Sequence, residues 1–331
     1  MRVVATSVRH PSVPCIDVHN HLGRWLSRDW MVRDVGALIA LMDELTIDTI
    51  VNLDGCWGSE LEANLERYDR AHPGRFATFG HLDWSVLADG DPDRLVAQVE
   101  LAKSAGARGL KVWKDLGLGV RDDRGELVMP DDARLDDAFT AAGELGLPVL
   151  MHTADPIAFF DPIDHHNERL EELSAHPDWW FGAAGLPSFD QLLGAFEKVV
   201  ADHPTTSFIG AHVGNCAEDL ERVGRMLRDY PNLVIDIAAR VGELGRQPRA
   251  ARRLVEQHPT RVLFGTDCFP PDRTAYELHF RFLETDDEYF DYAPGSAVPP
   301  QGRWRIAALD LAPELLDFVY RHNARRVLAI E

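Results

Sequence analysis

The segment Ile16-Asp17-Val18-His19-Asn20-His21 concentrates more chemistry than any other stretch of the chain. It is a short apolar run that ends in two histidines one residue apart. Strand side chains alternate between two faces, so Asp17, His19 and His21 are expected to share one side. Two imidazoles on one face at a strand end can chelate a divalent metal ion. Other strand-like runs end in groups of the same kind: Leu110-Lys111-Val112-Trp113, Leu150-Met151-His152, Ile209-Gly210-Ala211-His212 and Phe264-Gly265-Thr266-Asp267. Alone, His152 or His212 would read as an ordinary core histidine. Brought to one place, four histidines and Asp267 make a nitrogen-and-oxygen cage for a divalent metal.

The elements that must position these groups are legible from periodicity. Apolar runs near 13–19, 48–53, 76–82, 108–113, 147–152, 206–212, 232–237 and 261–267 read as strands. Helical patterns lie between them at about 34–45, 59–72, 92–105, 131–145, 188–202, 217–229 and 247–258, with a last one near 313–328. Runs such as Val149-Leu150-Met151 and Val262-Leu263-Phe264 are apolar throughout, which suits a parallel sheet buried on both faces. Eight strands each followed by a helix point to a closed (β/α)8 barrel, the TIM barrel, as one domain over 1–331. An open doubly wound sheet is the alternative, but no glycine-rich loop follows the first strand. In a barrel the strand C-termini share one mouth. Two long connections, 153–187 after the fifth strand and 268–312 after the eighth, would cover that mouth. The pairs His72-Pro73, His176-Pro177, His203-Pro204 and His258-Pro259 read as helix stops on the opposite face.

Composition narrows the partners. The formal net charge of −20 disfavours nucleic acid and anionic membranes, and no apolar run is long enough to span a bilayer. The N-terminal segment shows no apolar core of a signal peptide, and Cys15, Cys56, Cys216 and Cys268 are too dispersed for a disulfide framework or a zinc ribbon. A cytoplasmic location, a small-molecule substrate and a homo-oligomer are expected.

At Ile-Asp-Val-His-Asn-His (16–21), Met-His (151–152), Gly-Ala-His-Val-Gly-Asn (210–215), Leu-Phe-Gly-Thr-Asp (263–267) and the closing His-Asn-Ala-Arg-Arg-Val-Leu (322–328), the chain resembles the amidohydrolase superfamily. The likeness is to the branch that includes aminocarboxymuconate-semialdehyde decarboxylase. It implies one ion on His19, His21 and Asp267, with His152 and His212 holding a second or assisting the first. It also implies that Lys111 is carboxylated by CO2 and bridges two ions, as in hydrolytic members; the decarboxylases of the branch usually lack this lysine and hold one ion. A carbamate carries negative charge beside a dication where an ammonium would be repelled. The alternative is a lysine paired with a carboxylate such as Asp115.

The chemistry implied is metal-assisted hydrolysis of an ester, thioester, amide or lactone carbonyl. Asp267 accepts the proton of water, and His212 is the second catalytic candidate. Zinc is the first choice of metal, with iron or manganese as alternatives. For an anionic substrate Arg240 and Arg24 are the candidate anchors, and Trp113 and His166 are further pocket candidates. Arg240 reads equally as a helix-start arginine paired with Glu243, and the 155–181 loop, with His166 in it, reads first as a helix with a polar face and an aromatic seam. Two other reactions stay open on the same ligands: a single-metal decarboxylase or hydratase of an unsaturated or aromatic acid, and a di-iron oxygen-activating monooxygenase.

Overall fold

The computed structural model describes residues 6–330. The first five residues of the N-terminal segment read for a leader, and Glu331, lie outside them. Eight strands run in sequence order around one sheet: β1 (Cys15–Asn20), β2 (Ile47–Asn52), β3 (Phe76–Gly80), β4 (Gly109–Val112), β5 (Val149–Met151), β6 (Phe208–Gly210), β7 (Leu233–Asp236) and β8 (Val262–Leu263). Each pairs parallel with the next. Across the remaining gap, Val18 N donates to Phe264 O (3.0 Å) and Asp267 N donates to His19 O (2.8 Å). These bonds tie the β8 segment to β1, so the sheet is a (β/α)8 barrel, as its periodicity predicts.

Strand alternation produces two apolar layers. Ile16, Val18, Val51, Phe79, Leu150 and Ile209 are among the side chains that fill the barrel interior. The opposite strand faces pack under the helices. Phe79 shows how tight the interior is. A Cβ at Gly109 would stand 2.4 Å from its ring, so β4 passes this point only with glycine. Helix starts are marked by polar caps. Asp34 accepts from Ala37 N, and Ser188 with Gln191 forms a reciprocal capping box.

Three sequence expectations change. Helix Arg273–Glu284 lies within the long connection 268–312 after β8, where periodicity marks no helix. Asp272 caps it, and Tyr276, Phe280 and Leu283 form its buried stripe at i, i+4 and i+7. His176 belongs to the insertion over the mouth, where it stacks on Trp179 at 4.1 Å, and not to the far face. Asp17 does not share a side with His19 and His21, for a reason given below. By contrast, His203 does close its helix as expected: its Nδ1 donates to Val199 O at 2.9 Å.

The insertion after β5 is clamped by a buried ion pair. Arg169 bonds Glu243 just after β7 and Glu172 at 2.6 Å; Arg169 and Glu243 are each 1% exposed at the side chain. Arg169→Ala strands Glu243 as a buried, uncompensated carboxylate. A loss of about 3–5 kcal/mol is expected in chemical denaturation. A loss below about 1 kcal/mol would show that the clamp contributes nothing net.

Among the described residues no helix is long and apolar enough to cross a membrane. All four cysteines are free thiols.

Candidate metal centre

β1 delivers its two histidines through a bulge. Between Asp17 and Asn20 three steps of β1 stand against two of β2, from Ile50 to Asn52. The alternation is broken there. Asp17 turns away from the mouth and accepts from Thr266 Oγ1 (2.6 Å), Tyr276 OH (2.7 Å) and Asn20 Nδ2 (3.0 Å). His19 and His21 reach the mouth instead. Their Nε2 atoms converge on Asp267 Oδ1, at 3.8 Å and 3.4 Å. These three residues have ligating atoms within 4.8 Å of one another.

Each imidazole is oriented from behind by a carboxylate. His19 Nδ1 donates to Asp236 Oδ2 at 2.8 Å, and His21 Nδ1 donates to Asp54 Oδ1 at 2.7 Å. Such bonds fix the tautomer and leave Nε2 as the lone-pair donor to a metal. Asp236 also lies within 4.8 Å of His19 and His212. Its Oδ1 already accepts from the backbone N–H of His212 (2.9 Å) and Ala238 (3.1 Å), so it orients and does not ligate. Asp236→Asn and Asp54→Asn are each expected to weaken metal binding about 10–100-fold with the fold unchanged. Equilibrium dialysis against zinc checks this, and wild-type affinity in both variants would refute the orienting role.

The second pair stands across the mouth. His152 follows β5 and His212 follows β6, with ring centroids 4.4 Å apart; His19 and His212 are 4.7 Å apart. His212 Nδ1 donates to Ala238 O at 2.9 Å, which leaves its Nε2 free for the mouth. His212, Val213, Gly214 and Asn215 all have φ between +54° and +65°. A β-branched valine there is strained at a cost of about 1–2 kcal/mol. Asn215 holds the turn to β5: its Oδ1 accepts from Thr153 N at 2.8 Å. His152 Nε2 faces Asp155 Oδ1 at 3.4 Å, and Asp155 is in turn ion-paired with Lys114.

Lys111 on β4 is 1% exposed, and its Nζ has no hydrogen-bond partner. It lies 4.9 Å from the ring centroid of Trp113. Asp115 is not its partner. Burial lowers the pKa of its ammonium, against the pull of Asp267, Asp236 and Asp54. Burial likewise holds the His19 and His212 imidazolium pKa values well below their ordinary value, and that of His152 down to about 3. These rings are therefore neutral at pH 7, the form that ligates metal.

Above these groups lies a cavity of about 340 Å³. Its walls include Trp113, Phe159, Trp179, Phe269, Arg240 and Gln301. Arg240 is 7% exposed, and among the described contacts its guanidinium bonds only Ala239 O, at 2.9 Å. Glu243, its alternative partner from the sequence, is taken by Arg169. Two arginines further along the chain turn elsewhere; Arg246 pairs with Glu168 and Arg252 with Glu256. Arg24 and His166 are not among the residues lining this cavity. Arg24 binds Glu60 and stacks over Trp30 at 4.6 Å, while exposed His166 packs on His165 at 3.9 Å. Short-range ion pairing and solvation claim these two side chains. Asp54 and Asp236 were missed as site residues, although both sit where a strand ends, which is the signal that found the ligands.

The amidohydrolase family matches residues 55–330, most of the chain. The chain belongs to the amidohydrolase family. The match begins after β1, so it leaves His19 and His21 to the geometry above. No curated protein matches the chain. Among solved structures, 2,6-dihydroxybenzoate decarboxylase from Rhizobium is similar, with 14% identity, 96% of this chain and 99% of that one covered, and a TM-score of 0.57. A dihydroxybenzoic acid decarboxylase from Polaromonas, with bound manganese and the inhibitor 2-nitroresorcinol, gives 13%, 96%, 97% and 0.60. An amidohydrolase from Burkholderia multivorans gives 16%, 96%, 100% and 0.57. At these identities the likeness is one of fold.

Proposed function

We propose that this amidohydrolase is a two-metal hydrolase of a small anionic carbonyl compound. His19, His21 and Asp267 would hold one ion, His152 and His212 the other, and Lys111, as a carbamate, would lie between them. The residues fit a metal on their own chemistry. His19 Nε2, His152 Nε2, Lys111 Nζ and Asp267 Oδ1 are all buried polar atoms without a hydrogen-bond partner. Unsatisfied buried polar groups are rare and costly, and four of them at one mouth call for a shared ligand. The orphaned lysine amine is the observation that carries the two-metal form. When bound, the ions would supply water acidified toward a pKa of about 7 and polarise the carbonyl.

The protein groups have separable tasks. Asp267 Oδ1 is free to take a proton from water and pass it to the leaving group. Arg240, buried at the cavity wall without a carboxylate partner, would anchor the anion. Trp113 covers both His21, at 5.0 Å between ring centroids, and Lys111, and so limits water at the reacting centre.

One observation favours a second reading. Four aromatic walls around a buried arginine suit an aromatic acid, and the dihydroxybenzoate decarboxylases share the fold. A single-metal decarboxylase would release CO2 from such an acid. Incubating the metal-loaded protein with a series of aryl esters, lactones and hydroxybenzoates separates the two. Acid release from esters or lactones without CO2 supports the hydrolase; CO2 from hydroxybenzoates replaces it with the decarboxylase.

A further inference from the structure

Aromatic rings lead out of the cavity in steps. From His21 the path goes to Trp113 at 5.0 Å between centroids, from Trp113 to Trp25 at 6.1 Å, and from Trp25 to Trp57 at 6.0 Å. His81 supports the middle of this path, edge-on to Trp25 at 4.9 Å. Along it exposure rises from the buried floor to Trp25, Leu26 and Trp57, which are 37–41% exposed. Large apolar side chains left half-wet beside a polar cleft mark a binding surface. A second cleft, of about 500 Å³, opens beside the cavity, with Trp25, Leu26 and Cys56 in its walls. Leu26 lines both spaces, so the two meet at this side chain.

Strand order fixes the direction of this path. Trp57 follows β2 and Trp113 follows β4, so this aromatic path is centred on β3. Arg240 follows β7, which is diametrically opposite β3 in a ring of eight strands. Of the ligating groups, His19 and His21 at β1 and His152 at β5 lie on the perpendicular diameter, while His212 at β6 and Asp267 at β8 flank Arg240's own strand. A ligand running from Arg240 to Trp57 must therefore cross the ligating groups.

We propose that the substrate is an elongated amphipathic carboxylate. Its anionic head lies at Arg240, its reacting centre over the ligating histidines, and an aromatic or apolar arm along Trp113, Trp25, Leu26 and Trp57. This assignment deepens the proposed function, resting on it only for what happens to the bond at the centre. The arm is the part that sets specificity: stacking and apolar burial along the path reward length, and Arg240 rewards charge.

Binding of benzoate, 2-naphthoate and biphenyl-4-carboxylate to the metal-loaded protein, measured by calorimetry, tests the proposal without turnover. Affinity is expected to rise at least ten-fold from benzoate to biphenyl-4-carboxylate. Trp25→Ala and Trp57→Ala should erase most of that rise while leaving benzoate binding unchanged. Arg240→Gln should weaken all three acids by a similar factor, ten-fold or more. Equal affinities across the series, or a rise that survives both tryptophan variants, would overturn the arm. So would loss of a dimer in Trp57→Ala during sedimentation, which would assign the patch to a second copy of the chain. Metal content of the same samples reports on the hydrolase reading separately.

Discussion

Lys111→Ala protein is expected to carry one metal ion per chain where the wild type carries two. The lysine is buried on β4 with no acceptor within bonding distance of Nζ, in the field of Asp267, Asp236 and Asp54. A buried ammonium without a partner is costly, and beside a dication it is also repelled. A carbamate removes both costs. It reverses the charge and offers two oxygens to the two groups of ligands on either side. Alanine deletes those oxygens but leaves His19, His21 and Asp267 together, so one ion should stay. Elemental analysis of both proteins, alongside circular dichroism to confirm folding, reads the result. Equal metal content would remove Lys111 from the site and leave the single-metal reaction as the better reading.

Asp267→Asn is expected to lower kcat by about 10²–10⁴-fold on any ester or lactone the wild type hydrolyses, with KM changed far less. Asparagine keeps the shape and tolerates the left-handed backbone at this position, where φ is +56°. It cannot accept a proton as a carboxylate does. The hydrogen bond from Asp267 N to His19 O, which helps close the barrel, is retained. A loss below ten-fold would move the proton-accepting role elsewhere, with the strand-end histidines the next candidates.

The barrel was legible because its strands are near-continuous apolar runs of the right length, and polar caps mark helix starts. The ligands were legible because each ends such a run. What periodicity hides is the bulge in β1. Strict alternation places Asp17 beside His19 and His21, whereas the extra residue sends Asp17 to Thr266 and Tyr276 and frees the histidines for the mouth. Pairing between distant segments is hidden for a different reason. Arg169 and Glu243 are 74 residues apart, and no local pattern joins them. Adjacency to His21 nominates Arg24 for substrate, yet Glu60 and Trp30 hold its side chain outside the cavity walls. Arg240 keeps its place at the cavity because its apparent local partner is engaged by another arginine.

The central claim is that five strand ends make one metal centre. Its most direct measurement is zinc binding to chelator-stripped protein, counted by elemental analysis and compared with His19→Ala and His152→Ala variants. Two ions per wild-type chain are predicted. Each variant should lose one of the two, since His19 and His152 serve opposite sides of the mouth. Wild-type protein that binds no ion, or variants that bind as many as the wild type, would contradict the account.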